Sequence, residues 1–312
     1  MRTLVTGGAG FIGSSVCRLL LERGHSVRAL DNFLTGFREN VVPGVELFEG
    51  DLRGMEHVRR ACRDIEVVFH QGAVRSVPRS VDDPLLSETS NVVGTLHVLL
   101  AAQAEGVRRV VYASSSSIYG DNEDAINGED LPPQPLSPYA LSKFAGERYC
   151  QIWTRLHGLS TVSLRYFNVF GPGQHPESRY AAVFPAFVSA LVRGIAPEVH
   201  WDGEQSRDFT YIDDVVRANL LAAEANEIID GEVINIGGGR PRTVNQVLAD
   251  VSDAVGRWID PDLKPKRAGD VRRTHADISK ADRLLGWKPE SDWHEAVAAT
   301  VAWFKEKTPE ST

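Results

Sequence analysis

Tyr139 and Lys143 lie four residues apart in the run Ser-Pro-Tyr-Ala-Leu-Ser-Lys, downstream of a glycine-rich turn at Gly7–Gly13 and a serine run at Ser114–Ser117. A phenol titrates near ~10, so it serves as a base at neutral pH only where cationic neighbours favour the phenolate. On a helix Lys143 falls one turn from Tyr139 on the same face and can be one such neighbour. The positive ring of an oxidised nicotinamide can be the other. Taken alone, such a pair is an ordinary set of surface neighbours. In this company it spells a redox site.

The elements that would position it begin at the N-terminus. Arg2–Thr6 is a short β-branched and apolar run, followed by Gly7, Gly8, Gly10 and Gly13 and then by an apolar helical stretch from Val16 to Leu21. Glycines let the backbone approach a pyrophosphate closely, and a helix N-terminus offers unpaired N–H groups to its charge. The spacing satisfies both G-x-G-x-x-G and G-x-x-G-x-x-G. Asp31 ends the next apolar run, Ser26 to Leu30, about twenty residues on, where an acid hydrogen-bonds the ribose hydroxyls of NAD. A carboxylate there repels a 2′-phosphate, which favours NAD over NADP. The alternative for Asp31 is a solvated strand end.

Further apolar runs at Val45–Phe48, Ile65–Phe69, Arg108–Ala113 and Thr161–Leu164 alternate with longer amphipathic segments, among them Asn91–Ala104 and Tyr139–Leu156. This alternation predicts an α/β fold, a doubly wound parallel sheet of Rossmann type with helices on both faces. After Phe170 the breakers of Gly171–Pro176 mark a loop, and shorter mixed elements follow. The expected organisation is a cofactor domain over 1–169 and a smaller C-terminal α/β substrate domain over 170–312, with parts of 206–240 packing back on the first. Thr308–Thr312 reads as a frayed end.

Composition narrows the function classes. A chain of 312 residues can bury a large core and is long enough for about two domains. Its net charge of -8 argues against a nucleic-acid partner and requires that an anionic substrate be met by local arginines. Cys17, Cys62 and Cys150 are too few and too scattered for a disulfide framework or a metal site. The first strand begins at residue 2, which leaves no room for a leader, and no apolar stretch approaches membrane-spanning length, so the expected location is the cytoplasm, with no membrane partner.

Together, Thr6 to Gly13, Asp31-Asn32-Phe33, Gly50-Asp51-Leu52, Tyr139-Ala-Leu-Ser-Lys143 and Arg165 to Asn168 resemble the extended short-chain dehydrogenase/reductase family and, within it, the UDP-sugar 4-epimerases. The match runs from residue 2 to about Trp287. Ser76–Ser80, Asn168–Pro172 and Ser206–Asp214 are similar to the bacterial branch that acts on UDP-N-acetylhexosamines as well as UDP-glucose. The resemblance implies tightly bound NAD held by Gly7, Gly10, Phe11, Ile12, Gly13, Asp31, Asn32, Asp51, Leu52 and Arg75, with Tyr139 and Lys143 at the nicotinamide end. It implies Ser115, Tyr139 and Lys143 as the catalytic set: Tyr139 takes the proton of the sugar 4-hydroxyl, Ser115 holds the 4-oxygen, and Lys143 binds the nicotinamide ribose and keeps Tyr139 ionised. Hydride leaves C4, the 4-keto sugar turns over, and the hydride returns on the opposite face.

Sugar 4,6-dehydratases of this family follow the serine or threonine with an Asp-Glu pair, because eliminating water needs an acid and a base; here Ser116 and Ser117 stand there. The decarboxylases generally carry Glu where this chain has Ser117. The missing carboxylates favour oxidation and re-reduction alone, with a nucleotide-sugar dehydratase or decarboxylase as a lesser alternative. For substrate, the resemblance implies Ser115, Ser116, Asn168, Val183, Arg207, Arg267, Asp270 and Thr274, with Asn168, Arg207 and Arg267 on the diphosphate and Asp270 on the uridine ribose. Each arginine has a surface ion pair as its alternative. Trp201 replaces a smaller residue of the family, which makes His200 a candidate to face the base, and His70 reads as structural. Thr274, where glucose-specific members carry a bulky aromatic, should admit a C2 N-acetyl group, whereas Arg75, Arg79 or Arg179 could meet the carboxylate of UDP-glucuronate. UDP-glucose and UDP-N-acetylglucosamine are therefore the expected substrates, UDP-glucuronate the alternative. Relatives are often homodimers packed through helices equivalent to Asn91–Ala104 and Tyr139–Leu156.

Overall fold

A computed structural model describes residues 1–122, 126–175, 182–266 and 271–307. The N-terminal part runs β1 (Arg2–Thr6), α1 (Phe11–Glu22), β2 (Ser26–Asp31), β3 (Glu46–Glu49), α2 (Met55–Cys62), β4 (Val67–His70), α3 (Val77–Asp82), α4 (Pro84–Glu88), α5 (Gly94–Ala104), β5 (Arg109–Ser115), α6 (Pro138–His157) and β6 (Ser160–Tyr166). It continues through β7 (Val169–Phe170), α7 (Val183–Val192), β8 (Glu198–His200), β9 (Ser206–Arg207), β10 (Thr210–Tyr211), α8 (Ile212–Glu224), β11 (Glu232–Ile236), β12 (Arg242–Thr243), α9 (Val244–Val255), β13 (Asp262–Lys264), α10 (Ser279–Leu285) and α11 (Trp293–Lys307).

Seven parallel strands form the main sheet in the order β3-β2-β1-β4-β5-β6-β11. Both faces are covered, so adjacent residues serve different cores. Leu4 and Val110 belong to the apolar cluster shared with α2, α5 and α6, while Val5 and Val111 belong to the one shared with α1 and α8, as the two-residue side-chain period requires. The strand order reverses between β1 and β4, which opens a crevice at their carboxyl ends.

The chain returns to this sheet late. β11 pairs with β6, and α8 packs against α1. A third apolar cluster, built on Phe170, Phe184, Phe187, Val247, Val251 and Phe304, joins α7, α9 and α11, beside the short pairs β7–β10, β8–β13 and β9–β12. Capping follows the sequence. Ser137 accepts the Ala140 N–H at 3.1 Å where α6 begins at Pro138, and Gly158 closes it with φ +69°.

One expectation needs correction. The helix expected from Asn91 is the end of a continuous helical run, Pro84–Ala104, in which a π turn at Thr89–Val93 separates α4 from α5. Contrary to the expectation that no apolar stretch approaches membrane-spanning length, this run of 21 residues has the length and composition to cross a membrane, although over half of its apolar 18-residue window is buried against protein. The widened turn points Asn91 inward. Its amide donates to Val74 O and Ser142 Oγ, both at 3.0 Å, and its oxygen accepts the Val74 N–H at 2.8 Å. π turns recur at functional sites, and this one anchors the loop that carries Arg75.

Candidate active site

A groove crosses the carboxyl ends of β1, β2, β4 and β5. Its floor is the glycine turn into α1. A Cβ on Gly13 would fall 2.0 Å from the Gly7 carbonyl oxygen, and Gly7 has φ +69° beside the backbone of Gly72. Only glycines allow this approach, which leaves the N-terminus of α1 open to an anion with no acidic side chain in its first turn. Gly7, Gly10, Phe11, Ile12 and Gly13 all line the groove.

Asp31, buried at the end of β2, accepts the N–H groups of Ala9 at 2.9 Å and Phe33 at 2.8 Å, and lines the groove next to Asn32. Asn32 donates to Asp51 at 2.8 Å. Arg53 forks onto Asp51, the main reason its carboxyl lies well below the ordinary range. Leu52 completes that wall. These groups fit a dinucleotide: glycine backbone and helix end for the pyrophosphate, Asp31 for ribose hydroxyls, and Asp51 with Leu52 for the far ring.

Tyr139 and Lys143 enter from the first two turns of α6, on one face, and both reach the groove. Lys143 is 4% exposed and donates to Ala113 O at 2.8 Å. Burial pushes its ammonium down to about 8, with Cys150 and Glu147 opposing. Burial also raises the Tyr139 phenol, offset by a hydrogen bond with Ser115 and by the charge of Arg75. Arg75 is thus a cation that opposes this rise, on the wall that it shares with Tyr139. His70 sits below them with Nδ1 2.7 Å from Thr6 Oγ1 and Nε2 3.0 Å from Thr95 Oγ1, and burial lowers it to about 3. It is a neutral packing group.

Tyr139 and Arg75 also line a second cavity that opens beyond the groove, with Ser115, Ser116, Ser117, Asn168, Arg207 and Thr274. Among the described residues no carboxylate lines it. Ser115 Oγ accepts from the Ser117 N–H at 3.2 Å and hydroxyl at 2.9 Å in the 3-10 turn after β5, and it lies in hydrogen-bond reach of Tyr139. Asn168, held at φ +25°, donates to Asp208 O and Thr274 Oγ1 at 3.2 and 3.4 Å. Asn168 and Arg207 are shared with a third cavity lined by Val183, Phe187, His200 and Gln205. His200 lines that cavity; Trp201, at φ +64°, lies between Lys266 and Arg272, 4.0 and 4.6 Å from its ring centre. Arg267, Asp270 and Arg179 lie outside the described residues.

The groove has walls that motif spacing did not reveal. Thr35, Gly36, Phe37 and Asn40 cover the glycine turn, with the Phe37 N–H and the Asn40 amide both donating to Ala9 O. His175 stacks on Phe37 with ring centres 3.8 Å apart, a contact between segments distant in sequence. Thr35-Gly36, so soon after Asp31, was the available signal; His175 had none.

Comparison with known proteins agrees with this geometry. The chain is similar to a UDP-glucose 4-epimerase of Thermotoga maritima solved with UDP-glucose, at 38% identity and a TM-score of 0.95 over 98% of this chain and 99% of that one. It is similar to a UDP-N-acetylglucosamine 4-epimerase of Methanobrevibacter ruminantium in complex with UDP-N-acetylmuramic acid, at 36% identity and 0.94 over 98% and 99%. It also matches a UDP-glucuronic acid 4-epimerase of Bacillus cereus in complex with UDP-glucuronic acid and NAD, at 31% identity and 0.92 over 99% and 100%. Residues 3–237 match the model of the NAD dependent epimerase/dehydratase family. With a nucleotide groove built on β1 and β2 and a Tyr-Lys pair at its end, this chain belongs to the NAD-dependent epimerase/dehydratase family, and its cofactor is NAD.

Proposed function

We propose that the protein inverts C4 of UDP-glucose or UDP-N-acetylglucosamine through a transient 4-keto sugar. The observation that carries this reading is the position of Tyr139 and Ser115: Tyr139 stands on the wall shared by the cofactor groove and a cavity free of carboxylates among the described residues, with Ser115 beside it. When bound, NAD would supply the hydride acceptor for the oxidation and the hydride for the return. Tyr139, whose ionised form burial opposes and Ser115 and Arg75 favour, removes the proton of the sugar 4-hydroxyl, while Ser115 donates to the oxygen that becomes the ketone. A dehydratase or decarboxylase would need further acid-base groups, and among the described residues the sugar cavity offers no carboxylate for that role, which supports simple oxidation and return. Lys143 would hold the nicotinamide ribose from within α6 when NAD is bound.

In this reading residues 1–169, with α8 and β11 packed onto them, hold NAD, and 170–312 hold the uridine diphosphate. Asn168 and Arg207, where the two cavities meet, take the diphosphate; an arginine fork suits it. Val183 and His200 then flank uridine, and Thr274 leaves room at C2. A second reading, UDP-glucuronate, is favoured by Arg75, whose cation reaches the sugar cavity. The exposed apolar side chains Leu100, Leu141, Ile152 and Leu156 on α5 and α6 support a homodimer through these helices, and the proposed location is the cytoplasm.

The test is to incubate the purified protein, with no NAD added, with UDP-glucose, UDP-N-acetylglucosamine and UDP-glucuronate separately and follow each by proton NMR. The axial C4 epimer of either hexose is the expected product. Conversion of UDP-glucuronate alone would favour the second reading, and no conversion of any of the three, with NAD then supplied, would overturn both.

A further inference from the structure

The side chain of Glu147 is 1% exposed, one helical turn beyond Lys143 on the inner face of α6. Its carboxylate is shared between two strands. Ser114 Oγ, at the end of β5, donates to Oε1 at 2.6 Å. Arg165, in β6, forks onto it, Nε to Oε1 at 2.8 Å and Nη2 to Oε2 at 2.9 Å. All three side chains are buried. Replacing a buried ion pair with apolar groups is often neutral or stabilising, so this pair is poorly explained as a source of stability alone.

Its placement suggests another use. Ser114 precedes Ser115, and Arg165 precedes Tyr166, which lines both the groove and the sugar cavity. One carboxylate therefore ties the helix bearing Tyr139 and Lys143 to the strand that delivers Ser115 and to the one that delivers Tyr166. We propose that Glu147 is a positioning residue for the hydride step, its carboxylate fixing the Ser115-bearing strand and the Tyr139–Lys143 helix in a single frame. The inference rests on the epimerase reading above.

Charge gives it a second role. The groups acting on Lys143 are Glu147 and Cys150 on α6, with His70 on β4 and Tyr112 on β5 packed against it. His70 is lowered to about 3, Cys150 raised to about 12, and Tyr112 raised, in each case mainly by burial, so these three are uncharged at neutral pH. Glu147 is the anion that opposes the desolvation of Lys143, and Arg165 is the cation that its removal would leave unpaired.

The experiment compares Glu147→Gln and Ser114→Ala with the wild type for kcat, KM, bound NAD and the pH profile of kcat. Positioning predicts that Glu147→Gln retains NAD and KM but loses roughly 10- to 100-fold in kcat, the scale set by small misplacements of reacting groups. Loss of the anion moves both limbs of the profile to lower pH. Ser114→Ala, which keeps the Glu147–Arg165 pair, shows a smaller kcat loss with the limbs in place. Wild-type kcat and profile in both variants would overturn the proposal, and so would a kcat deficit that only matches missing NAD. An inactive wild type would count against the epimerase reading instead.

Discussion

Lys143 Nζ donates to the carbonyl oxygen of Ala113 at 2.8 Å, two residues before Ser115 on β5. The helix that carries the base is thereby tied to the strand that carries the serine, through a cation that burial makes easier to deprotonate.

That cation should cost stability. Its folded value, about 8, lies below the ordinary 10.5. Between these values the unfolded chain binds more protons, so stability rises with pH across the window, and the full penalty is present below pH 8. Lys143→Met should therefore raise the melting temperature of the NAD-free protein at pH 7 while abolishing turnover. The gain should shrink between pH 8 and 10.5; a gain that stays constant over that range would contradict the assignment.

Tyr139→Phe removes the proposed base and leaves the cavity walls in place. Epimerisation should fall by about 10²- to 10⁴-fold, the usual worth of a positioned acid or base, while the affinity for UDP, measured by calorimetry, stays at its wild-type value. Comparable turnover in the variant would require another base.

Gly13→Ala places a methyl group against the Gly7 carbonyl. The turn must shift where α1 begins, so the variant should purify with little or no bound NAD, read from the nucleotide released on denaturation, and should melt at lower temperature. Full NAD content would mean that the groove does not use this turn.

Asp208 offers a pH test of the fold beside the proposed diphosphate site. It is fully buried, accepts N–H groups from Ala276 and Gly239, and is raised by burial from 3.8 to about 6. The folded protein thus keeps a proton that the unfolded chain has released between those values, and this contribution to stability falls as pH rises from about 4 to 6. Relative to the wild type, Asp208→Asn should gain melting temperature across that interval and hold a constant difference above it. A difference that does not change with pH would show that Asp208 titrates normally.

The parts of the molecule legible in the sequence are those whose physics is local. Gly7 to Gly13 and Asp31 announce themselves because a pyrophosphate demands glycine at fixed spacing and a ribose demands an acid at a strand end; Tyr139 and Lys143 do so because a helix brings i and i+4 together. The structure gathers all of these in one groove. Arg75 on the same wall as Tyr139 was not legible, since a π turn and Asn91 place its loop. Nor was Phe37 against His175, a contact of distant segments. Glu147 reads as an ordinary helix acid until Ser114 and Arg165 are seen to share it. The register of β11 was equally hidden, because its short apolar run follows a long excursion through other elements.

That excursion has a consequence for how the chain becomes a protein. β6 ends at Tyr166, yet its outer neighbour β11 begins only at Glu232. Until that segment has left the ribosome, β6 presents a bare row of N–H and C=O groups, the kind of edge that recruits other chains. Closing the sheet also waits on a long loop, which slows folding. A nascent or prematurely ended chain stopping between the two strands therefore leaves an open strand edge that can pair with other chains.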